Sequence, residues 1–282
     1  MQPIRHLFTA LLLLAGLFAA PTPIHAAQSY DNCTAFIDTL PATISTQGTW
    51  CLRHDVTTPI TSGNAITINT NNVTIDCNDF KIGGLSAGTS SLANGIFANG
   101  PLNATVRHCN VRGFRNGVYL NGAGHLIEDN RFDQNLYVGI YVAGDNNRVE
   151  RNAVYDTGGY PGNNLSYGIY ASADVIDNTV AGVFATAAAT YPDGIDLYGT
   201  GIEARGNRVR GLAAAGGGSA LGIYVGNAGI TVSGNRISAA APIYGVGIVG
   251  FGANDTFCGG NTIAKFSTPI SACQDTGGNA SN

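Results

Sequence analysis

Apolar residues alternate with polar or aromatic ones over short stretches, and the stretches recur. Gly95-Ile96-Phe97-Ala98, Gly117-Val118-Tyr119-Leu120, Gly139-Ile140-Tyr141-Val142, Gly168-Ile169-Tyr170-Ala171, Gly194-Ile195-Asp196-Leu197 and Gly222-Ile223-Tyr224-Val225 share one pattern. Each copy precedes a second pattern, aliphatic-x-x-Asn-x-aliphatic. That pattern carries Asn78, Asn130, Asn152, Asn178, Asn207, Asn235 and Asn261, with Cys109 once in the Asn place. Period-two alternation is a strand signal: the aliphatic residues share one side and the residue between them points out. Short strands and turns repeated at this length predict an all-β solenoid of about eight or nine rungs, each pairing only with its neighbours.

Stacked rungs turn the sequence into columns. An Asn in successive rungs, about 4.8 Å apart, predicts a ladder of side-chain amide hydrogen bonds. The Gly column predicts a turn that needs a permissive backbone. From Gly to the next Asn-column residue the spacing stays between 10 and 14, but the return spacing grows from 8 or 9 to 15 or 16 in the middle of the chain. The added residues, 155–166, 181–192 and 211–220, enter at one point of successive rungs. They are therefore expected to project side by side and wall one edge of the Gly-Ile-Tyr face.

The ends differ from the repeats. In 29–40, Phe36, Ile37 and Leu40 fall on one helical face behind Ser29 or Asp31, which predicts a short N-terminal capping helix. The expected organisation is a cap over 27–48, the solenoid over 49–273 and a disordered tail over 274–282. Residues 1–26 read as an export leader: Arg5, an apolar run over 7–20 and a small-residue cleavage site. The expected destination is the periplasm or the exterior. No later segment is apolar enough over sufficient length to span a membrane.

Without Arg5 the chain holds 13 Lys and Arg against 18 Asp and Glu. Such a balance gives no basic stripe for nucleic acid. Six cysteines in an exported chain predict disulfides. Cys33 with Cys51 and Cys258 with Cys273 would staple the two ends, while Cys77 and Cys109 either pair or stack. His54, His108 and His125 show no metal-ligand spacing, so no cofactor is expected, and Ca²⁺ finds no recognisable site.

The stretch Arg115-Asn-Gly-Val-Tyr-Leu-Asn-Gly-Ala-Gly-His-Leu-Ile-Glu-Asp-Asn-Arg-Phe132 resembles the repeats of the pectin-lyase-like superfamily, which includes polysaccharide lyases, polygalacturonases, NosD-like proteins and tailspikes. The resemblance covers about 49–270. It implies a single-stranded, right-handed parallel β-helix and does not specify an activity. Tyr191-Pro192-Asp193-Gly194-Ile195-Asp196 is similar to the Asn-Thr-Asp-Gly-x-Asp segment of polygalacturonases. The further acids of that family would fall at Ala220-Leu221, and its His at Tyr244, so of the expected acids Asp193 alone remains. The Asp-rich Ca²⁺ site and Arg base of pectate lyases have no counterpart either.

Candidate chemistry lies where columns break. Phe97, Tyr119, Tyr141, Tyr170 and Tyr224 form an outward aromatic column interrupted by Asp196, and Asp193 breaks its own column. Tyrosine faces suit sugar rings. A carboxylate among aromatics is partly desolvated, which raises its pKa toward acid–base work. The expected site is Asp193 and Asp196 as catalytic groups, with Tyr119, Tyr141, Tyr170 and Tyr224 binding substrate. The expected function is glycosidic bond cleavage, by lyase or hydrolase chemistry, in a secreted monomer acting on a polysaccharide or surface glycan. The alternative is a non-catalytic glycan-binding or adhesin-type protein. Arg107-His108, Glu128-Asp129, Glu150-Arg151 and Asp177 recur beyond the constant turn and read as an ion-pair ladder, with a His108–Asp129 acid–base pair as the competing reading.

Overall fold

The computed structural model describes residues 30–252 and 255–282, so the expected leader lies outside the described residues. The chain coils into a parallel β-solenoid of about nine turns. Three strands make a turn, as the rung over 116–133 shows. Asn116–Asn121 lies in a long-strand sheet, Leu126–Glu128 in a second sheet and Arg131–Asp133 in a third. All three pair in parallel with the rung before and the rung after. Near the C-terminus Arg236–Val249 and Thr262–Ser271 run through the corner unbroken, joining the long-strand and third sheets.

Each rung delivers one aliphatic side chain per sheet to a common core. Val118, Ile127 and Phe132 are fully buried in one rung, and Ile140, Val149 and Val154 in the next. Each such side chain contributes about 2 kcal/mol of apolar burial. The Asn ladder runs unbroken from Asn130 through Asn152, Asn178, Asn207, Asn235 and Asn261 to Asn279, each Nδ2 donating to the next Oδ1 at 2.9–3.1 Å. The same Oδ1 atoms accept the preceding Asn backbone N–H, so the ladder satisfies corner groups that water cannot reach. Asn78 lies off it and donates to the Leu52 carbonyl. In the two rungs before the ladder a disulfide joins Cys77 and Cys109. Disulfides also join Cys33 to Cys51 and Cys258 to Cys273. Three bridges are consistent with an extracellular or periplasmic protein.

Four expectations are corrected. No capping helix forms over 30–40: after a turn, Ala35–Phe36 pairs with Trp50 and Cys51. Thr34 and Ile37 N–H groups donate to the Thr49 and Cys51 carbonyls, so a strand covers the first edge directly. Nor is the tail a coil. Gln274–Gly277 and Ala280–Ser281 make a last turn, because Asn279 supplies the final acceptor of the ladder.

The Gly column is not a turn. Gly95, Gly117, Gly139, Gly168, Gly194 and Gly222 lie in strands, and none is among the positive-φ glycines. Their requirement is steric. A Cβ on Gly194 would stand 2.5 Å from the Gly222 carbonyl oxygen and 2.4 Å from Val209 Cγ1, and the whole column repeats this. Gly194→Ala is therefore expected to destabilise the fold by about 3 kcal/mol, although alanine normally favours ordered structure over glycine. Chemical denaturation measures it, and a neutral result would refute the steric account.

The fourth correction concerns register. Leu221 pairs with Val246 and Ile223 with Ile248, so Gly247 continues the column. Val246 therefore stands where Tyr244 was expected, and Tyr244 is exposed at the corner.

Candidate functional site

The site grows from a local irregularity in the long-strand sheet. Strict alternation would put residues three apart on opposite faces. Two successive inward residues between them restore the same face, as other strands of this sheet show. Asn64 Nδ2 donates to Thr67 Oγ1, and the rings of Tyr167 and Tyr170 lie 5.0 Å apart. Asp193 and Asp196 occupy the same two registers, opposite Tyr167 and Tyr170 on one side and Leu221 and Tyr224 on the other.

The aromatic column forms as expected up to the break. Phe97 and Tyr119 stack at 5.3 Å, Tyr119 and Tyr141 at 4.2 Å with parallel planes, and Tyr141 and Tyr170 at 5.4 Å. Asp196 then interrupts the column, with Tyr224 on its far side. Sequence reasoning missed Tyr198. Its ring stacks on Tyr170 at 4.5 Å, and its hydroxyl donates to the Val142 carbonyl two rungs back. The available signal was an aromatic directly after the repeat, where other rungs carry Asn121, Ala143, Ser172 and Gly226.

The three insertions stack side by side at the corner between the third and long-strand sheets. Phe184 N–H donates to the Thr157 carbonyl, Ala213 N–H to Val183, and Thr190 N–H to Ala215. Tyr160 of the first loop and Tyr137 each lie 5.0 Å from the Arg115 guanidinium, which they sandwich. A wide groove lies elsewhere. It measures about 690 Å³ beside Tyr244, Lys265, Phe266 and Asn282, and includes neither aspartate.

The electrostatics single out the aspartates. Asp193 is 5 % exposed and Asp196 7 %. Asp193 Oδ1 is buried without a hydrogen-bond partner. Burial first, and the charge of Asp196 second, push the Asp193 carboxyl well above the usual carboxylate range. Burial raises Asp196 to about 7. No cationic side chain offsets either shift. Burial, followed by neighbouring negative groups, also pushes up the Tyr167 and Tyr170 phenols, which is the wrong direction for a tyrosine base. The pair thus supplies a neutral carboxyl beside one that ionises near neutrality.

The second constellation is structural. Arg107 Nε donates to Asp76 at 2.8 Å, and His108 Nδ1 lies 3.2 Å from the same carboxylate. Arg151 engages both Asp129 oxygens at 2.9 Å, so His108 and Asp129 do not form a pair of their own. His125 is buried, with Nδ1 accepting the Ala104 N–H, and burial lowers its pKa to about 4. Among the described residues no group of three His, Cys, Asp or Glu side chains could hold a metal ion.

Residues 50–190, half of the 282-residue chain, match the family model for the right handed beta helix region. The match ends just before Asp193. No curated protein matches. Among solved structures, the crystal structure of Dettilon tailspike protein is similar at 15 % identity and a TM-score of 0.36, with 84 % of this chain and 60 % of that one covered. This chain therefore spans about 60 % of the length of that tailspike.

Proposed function

We propose that this chain, which belongs to the right-handed β-helix family, is an exported enzyme that cleaves a glycosidic bond in a polysaccharide bound along the tyrosine strip. One observation carries the reading: two adjacent buried carboxyls, without a cationic partner, end a stack of tyrosines. Burying two unpaired acids costs stability, and such costs concentrate at working sites. Because the rings stack on one another, the strip offers the sugar their edges and phenol oxygens. Asp193, held protonated, gives its proton to the departing glycosidic oxygen. Asp196 accepts the proton of the water whose oxygen bonds to the sugar carbon. Acid and base are then both supplied by one strand.

Hydrolysis is preferred over β-elimination on charge. Elimination needs the sugar carboxylate neutralised as the adjacent proton leaves. A uronate beside this pair would meet two acids and no cationic side chain. The tyrosine strip alone supports the alternative, a non-catalytic glycan-binding or adhesin-type protein.

A glycan panel separates the readings when assayed both for new reducing ends and for absorbance from new double bonds. Reducing ends without absorbance are expected. Tyr141→Ala and Tyr170→Ala should each weaken glycan binding about ten-fold. Binding without turnover of any glycan would leave the adhesin-type reading standing and sink the enzyme.

A further inference from the structure

The third sheet changes character along the solenoid. In its first half every outward cation faces a carboxylate. Lys81 Nζ lies 2.8 Å from Asp55, and Arg112 and Arg131 lie 3.7 and 3.5 Å from Asp133. Beyond Asp133 the outward positions of this sheet carry no acid: they read Ala153, Tyr155, Thr179, Ala181, Arg208, Arg210, Arg236, Ser238, Thr262 and Ala264. Arg208, Arg210 and Arg236 are exposed there. None of the three appears in an ion pair or side-chain hydrogen bond of the described structure, whereas Arg53, Arg107, Arg148, Arg151 and Arg205 each have a carboxylate.

Arg208 and Arg236 are direct cross-strand partners. Like charges in that relation repel and weaken a sheet. Their rungs are about 4.8 Å apart, and Arg210 stands about 6.6 Å along the strand from Arg208. A groove of about 370 Å³ is lined by Arg208 and Arg236 together with Ser238 and Thr262. Two arginines thus line a groove where two hydroxyls are at hand, with Arg210 on the same outward face, in a chain of formal net charge −4.

We propose that this patch is a binding site for the oxyanions of an anionic polysaccharide, the carboxylate of a uronate or the sulfate of a sulfated sugar. A guanidinium binds such groups through paired N–H donors, and a bound oxyanion removes the repulsion between Arg208 and Arg236. Ser238 and Thr262 supply partners for the neighbouring sugar hydroxyls. The patch is too small for a nucleic acid backbone, which needs an extended basic stripe. It also falls short of the four to eight cations that hold an anionic membrane surface. It is separate from Asp193 and Asp196 and does not rest on their chemistry.

Affinity electrophoresis of the full chain tests this, with heparin, polygalacturonate and neutral dextran in the gel. Wild type should be retarded by at least one polyanion and not by dextran, the polymer that retards it distinguishing sulfate from carboxylate. Retardation should fall as salt rises. Arg208→Ala with Arg236→Ala should weaken binding by roughly ten- to a hundred-fold. Arg148→Ala, which removes a paired arginine elsewhere, should bind as wild type does. Either of two results overturns the proposal: no retardation by a polyanion at about 0.15 M salt, or retardation of the double variant equal to wild type.

Discussion

Asn178→Ala is expected to lower the free energy of unfolding by about 4 kcal/mol, more than most core truncations of similar size. Asn178 is 1 % exposed and every polar atom of its side chain is used. Oδ1 accepts from the Asn152 backbone N–H at 2.9 Å and from Asn152 Nδ2 at 3.0 Å. Nδ2 donates to the Val149 and Ile176 carbonyls at 2.9 and 3.0 Å and to Asn207 Oδ1 at 3.1 Å. Alanine leaves these partners buried, where each orphaned group costs about 1–3 kcal/mol. Asp at this position keeps the acceptor but turns a donor toward two carbonyls into a buried charge, so Asn178→Asp should be at least as damaging. Urea unfolding of both variants against wild type decides it. A loss below about 1 kcal/mol would mean that the ladder does not hold the corner.

Asp196→Asn is expected to remove catalysis by about 10³-fold and to stabilise the protein at about pH 8 in the same stroke. Burial raises both carboxyl pKa values above those of an unfolded chain, Asp196 to about 7 and Asp193 further. The folded state therefore holds more protons than the unfolded state above about pH 4. The sign follows: stability is full below about pH 4 and is lost as pH rises through about 7. An asparagine there carries no charge to bury. Allowing about 2 kcal/mol for its own unsatisfied amide, it should gain about 2 kcal/mol at pH 8 and lose nearly as much at pH 4. Thermal melts across that range, beside turnover measurements, provide the check. A variant that loses stability at pH 8 would contradict the burial of an unpaired charge, whatever happens to activity.

The solenoid was legible because its rule is periodic. Ile140, Tyr141 and Asn152 each have counterparts one rung away, so comparing columns replaces comparing homologues. The same comparison marked Asp196, an acid in an aromatic column, and Asp193 beside it. The ends were not legible, since a terminal rung has a neighbour on one side only and its sequence is freed from the column rule. Thr276-Gly277-Gly278-Asn279 closes the ladder without the aliphatic residue that announces the other rungs. Tyr198 escaped because its partner, the Val142 carbonyl, lies 56 residues back in sequence and two rungs away in space. The steric need at Gly194 was hidden for a similar reason: the atom it must avoid, the Gly222 oxygen, belongs to the next turn.

The two terminal disulfides have a consequence for how the molecule comes apart. A stack of nearest-neighbour units melts from its ends, where each unit has lost one partner. Cys33 is tied to Cys51 at one end and Cys258 to Cys273 near the other. The last turn, beyond Cys273, stays free to peel, but fraying past it, and fraying from the first strand, is closed. What remains is to open the zipper in its middle, where two interfaces must break at once. That converts equilibrium stability into a long working life among proteases. It also makes a reducing environment the condition under which that life is short.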